Sequence, residues 1–162
     1  MNKIYINAIT SSRIVLGLLF FYFTVYQFNI SYLIIIFVLT ALSDNLDGIL
    51  ARKFELSTIE GAKFDVICDF IFIIMSTSAG VLIDLIPFWF VIIIILKLYE
   101  FFKTSKNNSL SYDKFGHVVA LMFYVFPIAA ILINSKGIAL ILVIFITVCA
   151  IFSSVLRISD KI

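Results

Sequence analysis

The chain has 162 residues, of which 63% are hydrophobic and 14% charged, with a formal net charge of +2 and a mean hydropathy of +1.17. Ordinary soluble domains are about half apolar and about a quarter charged, so this composition excludes them. We therefore expect an integral membrane protein, with membrane lipids around it and no nucleic acid among its partners.

Apolar runs recur along the chain, and each is close to the roughly 20 residues that one helical crossing of a bilayer needs. Short breaks rich in Asn, Ser, Pro, Gly and charged residues separate them. The predicted spans are about 8–28, 31–52, 59–82, 86–102, 116–134 and 138–156. This pattern predicts an all-α membrane protein, with six transmembrane helices in one bundle and a single domain over residues 1–162.

The positions of Lys and Arg predict the orientation, because these residues collect on the cytoplasmic side of membrane proteins. Only Lys136 falls clearly on the other side of the predicted arrangement. The cytoplasmic set is Lys3, Arg13, Arg52, Lys53, Lys63, Lys103, Lys106, Lys114, Arg157 and Lys161. We therefore expect a multi-pass protein of the cell membrane with both termini in the cytoplasm.

Four aspartates interrupt the second and third apolar runs near their predicted cytoplasmic ends. Asp44 and Asp47 are three residues apart, and Asp65 and Asp69 are four apart, so each pair lies on one face of its helix. On insertion scales an uncompensated aspartate in a membrane helix costs about 2.5–3.5 kcal/mol, so four cost on the order of 10 kcal/mol. Some favourable interaction must offset this cost.

Two kinds of partner fit such a cluster. Salt bridges are one, with Arg52, Lys53 and Lys63 as candidates, although these residues lie at helix ends and can extend away from the cluster. Divalent cations fit better, because magnesium and manganese prefer several carboxylate oxygens, and magnesium is usually held together with substrate phosphates. The aspartates therefore predict a metal site for Mg²⁺ or Mn²⁺ and a phosphorylated substrate.

The segment "SDNLDGILARKFELSTIEGAKFDVICDF" resembles the signature of the CDP-alcohol phosphotransferases, membrane enzymes of phospholipid synthesis. The matching positions, with no departure in identity or spacing, are Asp44, Asp47, Gly48, Ala51, Arg52, Gly61, Asp65 and Asp69. The likeness extends to "NAITSSR", where Asn7, Thr10 and Arg13 resemble the usual opening of the first helix in that family. Beyond about residue 75 it is a likeness of hydrophobic pattern only.

The resemblance implies that an alcohol attacks the lipid-bearing phosphate of a CDP-linked lipid, such as CDP-diacylglycerol, and releases CMP at the cytoplasmic face. It implies that all four aspartates bind metal and that Asp69 also acts as the catalytic base. It further implies homodimers with one site per protomer. The expected CDP-lipid contacts are Asn7, Thr10, Gly48, Ala51, Arg52, Thr58 and Gly61.

Several of these contacts have a second interpretation. The small residues Gly48, Ala51 and Gly61 would let a nucleotide approach the backbone, but small residues also pack membrane helices together. Arg52 can bind phosphate through its guanidinium or anchor the helix end at the cytoplasmic surface. Thr58 can cap the third helix or hydrogen-bond a phosphate.

The acceptor alcohol is less constrained. Lys97, Lys114 and Arg157 are predicted near the cytoplasmic ends of later helices, where they could hold a second anion. This favours a phosphorylated alcohol, such as glycerol 3-phosphate or an inositol phosphate, over serine. The positive-inside distribution explains the same charges equally well.

Two other functions are alternatives. A membrane prenyltransferase also binds magnesium and a diphosphate through aspartates, but that resemblance requires two separated aspartate-rich motifs and about twice this length. An ion-coupled transporter or channel would also place carboxylates in the membrane. That alternative predicts internal repeats and interrupted helices, and we identify neither in the second and third spans.

Overall fold

The computed structural model describes residues 3–54, 58–104 and 114–159, and its side chains over 8–54, 58–103 and 115–157. The regular secondary structure in these ranges consists of six α-helices. They are α1 (Lys3–Val25), α2 (Ile30–Lys53), α3 (Ile59–Leu82), α4 (Trp89–Thr104), α5 (Lys114–Ile133) and α6 (Lys136–Ser159). The prediction of an all-helical protein is confirmed, and the predicted bounds of α3 match.

Five of these helices are long and apolar enough to cross a membrane, which makes the chain a multi-pass membrane protein. The candidate spans within the described residues are Ala8–Val25, Ile30–Lys53, Ile59–Leu82, Phe115–Ile133 and Lys136–Arg157. Many large apolar side chains on them face outward, as lipid-facing residues do.

The predicted fourth span, about 86–102, is the exception. As described, α4 has 16 residues, and at about 1.5 Å per residue it covers only about 24 Å of a hydrocarbon core about 30 Å thick. It begins three residues later than predicted, since α3 ends in a turn in which Asp84 adopts a left-handed backbone (φ 60°) and Pro87 precedes the new helix. The sixth crossing therefore stays a prediction.

Helix ends are marked by capping interactions. The Asn29 side chain accepts a hydrogen bond from the Ser31 amide (3.0 Å) at the start of α2. The residues Gln27 and Asn134, like Asp84, have positive φ and follow α1 and α5. Left-handed residues at helix C-termini stop the helix and reverse the chain, so each of these marks a short connection.

The chain divides into two compact units, residues 1–79 and 80–162. In the first, the buried side of α1 is a stripe of residues spaced three or four apart: Thr10, Arg13, Gly17, Phe20 and Thr24. A Cβ at Gly17 would lie 3.0 Å from Met75 Sδ and 3.4 Å from Phe72 Cα, so the glycine permits a close approach of α1 to α3. The rings of Phe20 and Phe72 then meet edge to face, with centroids 5.8 Å apart.

The second unit contains α4, α5 and α6, with the last residues of α3. Phe90 of α4 packs against Phe123 and Phe126 of α5, with ring centroids 5.7 and 5.2 Å away. At the end of α3, Gly80 faces buried Ile86, and a Cβ there would lie 2.5 Å from Ile86 Cδ1 and 2.9 Å from Cγ1. The turn between α3 and α4 therefore depends on a position without a side chain.

We predict that Gly80→Val destabilises the protein by about 1–3 kcal/mol, because the new side chain must displace a buried isoleucine. Gly137→Ala is the control, since a Cβ at Gly137 meets no atom within 4 Å. Thermal unfolding of purified protein in detergent measures both. Equal melting temperatures for Gly80→Val and the parent would show that the turn can move away at no cost.

Candidate active site

The four aspartates lie on α2 and α3, inside candidate membrane spans. One carboxylate oxygen from each of Asp44, Asp47 and Asp65 can be chosen so that all three lie within 4.8 Å of one another. Asp47 is buried, whereas the Asp44 and Asp65 side chains are 47% and 36% exposed. The motif spacing thus predicted a carboxylate cluster that the fold of the first unit brings together.

Asp69 lies one helical turn further along α3 and is not a member of the three-carboxylate group found among the described residues. Its side chain is 29% exposed, less than those of Asp44 and Asp65 and more than that of Asp47. Its place outside the three-carboxylate group is what distinguishes Asp69 from the other three.

One arginine contacts all four carboxylates. Arg13 of α1 is fully buried, and its Nη1 atom lies 3.2 Å from Asp44 and also donates to Asp69. Its Nη2 atom donates to Asp65 at 2.5 Å and to Asp47. The guanidinium therefore joins α1 to both acidic helices.

The predicted candidates for salt bridges were Arg52, Lys53 and Lys63, and Arg13 was not among the predicted site residues. The partner in the structure lies 34 to 56 residues away along the chain from the aspartates with which it shares hydrogen bonds. An arginine inside an apolar helix needs a buried partner, and this signal could have identified Arg13.

Thr10 lies one turn before Arg13 and was expected to contact the CDP-lipid. Its hydroxyl donates to Asp47 Oδ2 at 2.7 Å, and the side chain is buried. Thr10 thus orients the most buried carboxylate of the cluster. The side chain of Asn7, the other expected contact on α1, lies outside the described residues.

The small residues of the motif lie on α2 and α3 close to the aspartates. Among the atoms that the structure describes, a Cβ at Gly48 would meet only the Arg52 guanidinium, at 4.0 Å, so no other described side chain covers this position beside Asp47. The exposed Arg52 donates from Nε to the Gly48 carbonyl at 3.1 Å. Ala51 is half-buried on the same helix.

Thr58 precedes the first residue of α3. Its Oγ1 accepts a hydrogen bond from the Gly61 amide at 3.1 Å, which is the geometry of a helix cap. Of the two interpretations left open for Thr58, capping is therefore the one with a contact in the structure. A Cβ at Gly61 would lie 3.1 Å from the same oxygen, so a small residue suits this cap.

The three expected acceptor contacts lie in the second unit. Lys97 forms an ion pair with Glu100 (3.1 Å) and donates to Ser153 (3.3 Å) and Ser154 (2.8 Å), so α4 is linked to α6. Half-buried Arg157 has its guanidinium carbon 5.2 Å from the centre of the Phe101 ring. The Lys114 side chain lies outside the described residues.

The donor set of the first unit fits a divalent cation. It offers three carboxylate oxygens in one place, and hard cations such as Mg²⁺ and Mn²⁺ prefer such oxygen ligands. The single guanidinium of Arg13 leaves negative charge in excess when all four carboxylates are ionised. A divalent cation would reduce that excess from three negative charges to one.

A family model described as CDP-alcohol phosphatidyltransferase matches residues 4–153. Neither a search of curated proteins nor a search of solved structures found a match. The family match covers most of the chain, and with the acidic cluster it favours an enzyme over a transporter or a prenyltransferase. The resemblance predicted from the aspartate motif is confirmed: the chain belongs to the CDP-alcohol phosphatidyltransferase family, whose enzymes transfer a phosphatidyl group from a CDP-linked lipid to an alcohol.

Proposed function

We propose that this enzyme transfers the phosphatidyl group of CDP-diacylglycerol to a phosphorylated alcohol, such as glycerol 3-phosphate or an inositol phosphate, and releases CMP. The observation that carries the proposal is the carboxylate cluster of Asp44, Asp47 and Asp65 on α2 and α3 of a family member. Clustered carboxylates suit a substrate whose diphosphate is bound together with a divalent cation.

The cation in this proposal is Mg²⁺ or Mn²⁺, held by Asp44, Asp47 and Asp65, with Asp69 at the edge of the site. A cation bound there would neutralise the diphosphate and stabilise the CMP leaving group. Thr10 contributes by holding the Asp47 carboxylate through its hydroxyl.

Asp69 is proposed as the general base. The hydroxyl oxygen of the acceptor forms a bond to the phosphatidyl phosphorus, the bond from that phosphorus to the CMP oxygen breaks, and the Asp69 carboxylate takes the hydroxyl proton. The place of Asp69 outside the three-carboxylate group supports this division of roles.

The nucleotide side of the site is proposed along α2 and the start of α3. The lack of any other described side chain over Gly48 and the exposed guanidinium of Arg52 beside it support close approach of a diphosphate. Ala51 and Gly61 extend the same set of small residues, with Asn7, Thr10 and Thr58 as further contacts.

The preference for a phosphorylated acceptor depends on basic residues of the second unit. Lys97 forms an ion pair with Glu100, and Arg157 lies over the Phe101 ring; together with Lys114 they are the residues proposed to bind the acceptor phosphate. A guanidinium binds phosphate through two parallel hydrogen bonds, and this geometry suits Arg157 for the role.

Topology and assembly complete the proposal. We place both termini and the site at the cytoplasmic face of the cell membrane, with α4 as a sixth crossing in a single domain over residues 1–162. Lys136 at the start of α6, beside Asp84, would then lie on the opposite side. The protein would act as a homodimer with one site per protomer.

The roles of the aspartates can be separated by mutation. Asp69→Asn removes the base but keeps the size of the side chain, so we expect turnover to fall by about two to four orders of magnitude while CDP-lipid binding largely survives. Asp44→Asn should instead weaken metal-dependent CDP-lipid binding. Binding of labelled CDP-lipid and release of CMP are measured for both variants.

The control is Asp84→Asn, which removes the charge of a side chain that is 89% exposed. This variant should keep the CDP-lipid binding and the CMP release of the parent. Near-normal turnover in Asp69→Asn would mean that another group is the base. Equal loss of binding in both site variants would mean that the carboxylates act as one inseparable metal site.

The acceptor is identified by assaying membranes that contain the enzyme with labelled CDP-diacylglycerol and a panel of alcohols. We expect CMP release with glycerol 3-phosphate or an inositol phosphate to exceed that with glycerol, inositol or serine by at least about tenfold, since losing one charged contact costs about 1.5–3 kcal/mol. Arg157→Gln should raise KM for the phosphorylated acceptor, whereas Lys136→Gln should not. Activity with serine alone would contradict the proposal.

Orientation and assembly can be tested together by co-expressing two differently tagged copies, each with a cleavable tag at both termini. We expect protease to remove both tags of each copy from inside-out vesicles and neither from right-side-out vesicles, because an even number of crossings returns the chain to the same side. The two copies should also co-purify after gentle extraction. Protection of one tag in each preparation would mean an odd number of crossings, and separate elution of active copies would exclude the dimer.

A further inference from the structure

The buried guanidinium of Arg13 and the proposed cation interact with the same carboxylates. Asp44, Asp47 and Asp65 form the group that can hold a metal, and each is also within ion-pair distance of Arg13. Asp69 is bound by Arg13 as well but lies outside that group. One side chain therefore supplies positive charge at the place where the metal charge is expected.

The geometry of arginine suits it to hold several carboxylates together. Its guanidinium keeps its charge and offers several N–H donors in a rigid plane, so one residue can hold several carboxylates at once. Here Nη1 faces Asp44 and Asp69, while Nη2 faces Asp47 and Asp65. The cluster is thus assembled from three helices around one cation that belongs to the protein.

A divalent cation among these carboxylates would compete with the guanidinium. A divalent cation and a guanidinium held by the same carboxylates repel each other, and away from bulk water this repulsion is only partly screened. The carboxylate oxygens that bind a metal also have fewer lone pairs left for the N–H donors. Metal binding and the Arg13 ion pairs should therefore oppose each other.

We propose that Arg13 is a resident counter-ion of the metal-free enzyme: it holds the four aspartates together and exchanges its contacts with Asp44, Asp47 and Asp65 for the divalent cation, while keeping Asp69. Arg13 is then a positioning residue. Its retained contact holds Asp69 apart from the metal ligands, in agreement with the role proposed for that residue. The inference rests on the proposed metal site.

The proposal makes a thermodynamic prediction about Arg13→Gln, which removes the charge. In EDTA the variant loses the counter-ion of four carboxylates and should melt well below the parent enzyme. With saturating Mn²⁺ the difference in melting temperature should shrink, because the parent gives up most of these contacts when the metal binds. By linkage the variant should bind Mn²⁺ more tightly, by about tenfold, within the 5- to 150-fold range typical of coupled sites.

The experiment uses the full chain in detergent or nanodiscs, with no CDP-lipid present and Mn²⁺ alone as the probe. Thermal unfolding in EDTA and in Mn²⁺ gives the two stability differences, and electron paramagnetic resonance of free Mn²⁺ gives the dissociation constant. Lys63→Gln is the control, because Lys63 is an exposed cation on the same helix as Asp65. Lys63→Gln should leave the melting temperatures and the Mn²⁺ dissociation constant close to those of the parent.

An equal stability penalty with and without Mn²⁺ would overturn the inference and leave Arg13 a purely structural residue. A larger penalty in Mn²⁺, or weaker Mn²⁺ binding by the variant, would show that Arg13 supports the metal-bound form and would overturn it too. If the parent itself binds no Mn²⁺ and Asp47→Asn changes nothing, the proposed metal site fails, and this inference fails with it.

The variant Arg13→Lys provides a second measurement if Arg13→Gln cannot be purified in EDTA. Lysine keeps the charge but replaces the planar fork with a compact ammonium group, so it can hold fewer carboxylates at once. We expect the melting temperature of Arg13→Lys to lie below that of the parent in EDTA, and the difference to shrink with Mn²⁺, but both effects should be smaller than for Arg13→Gln. An Arg13→Lys enzyme with a stability penalty that does not depend on Mn²⁺ would contradict the proposal.

Discussion

The first unit depends on the pairing of one buried guanidinium with four carboxylates. A buried charge is unfavourable unless it is paired and hydrogen-bonded, and loss of one partner leaves the other uncompensated. Arg13 is buried completely, and each of the four aspartates lies within 4.0 Å of its terminal nitrogens. The position of α1 relative to α2 and α3 is therefore specified by charge as well as by apolar packing.

The packing around this contact explains how the arginine reaches its partners. One side of α1 carries four buried residues that contact the neighbouring helices: Thr10, Arg13, Gly17 and Phe20. The first two supply a hydroxyl and a positive charge, the glycine leaves room for a neighbouring backbone, and the phenylalanine supplies an aromatic ring. Gly17 lets the backbone of α1 approach Phe72, and Phe20 fills the space beside it. The same close approach that packs the helices also delivers the guanidinium to the carboxylates.

The sequence predicts the helices and the carboxylate cluster, but it does not predict the pairing of Arg13 or the start of α4. Hydropathy alone located the helices and the bounds of α3, and motif spacing placed Asp44 and Asp47 on one face. The pairing of Arg13 was missed because side-chain periodicity reports only which face a residue occupies, whereas this contact joins residues far apart in the chain. The fourth span was predicted at about 86–102, nearly the length of α4 (16 residues), but its start was predicted three residues too early, because hydropathy does not register the left-handed residue Asp84 in the preceding turn.

The Lys97–Glu100 pair of α4 was also missed, although it was local. Residues three apart on a helix are neighbours, so the sequence already places a carboxylate beside this lysine. Lys97 was predicted to bind an anion from its own charge alone, without regard to Glu100. Charges within an apolar helix are therefore best interpreted together with the residues one turn away.

Two of the cations that form ion pairs, Arg13 and Lys97, differ in what they require during biosynthesis. Lys97 meets Glu100 on its own helix, so its charge has a partner as soon as α4 has formed. Arg13 emerges from the ribosome before the α2 and α3 segments that carry its partners. Until those helices arrive, α1 carries an uncompensated charge whose insertion costs about 2.5–3.5 kcal/mol. We therefore expect the first three helices to leave the translocon and enter the lipid together, as one assembled group, and not one by one.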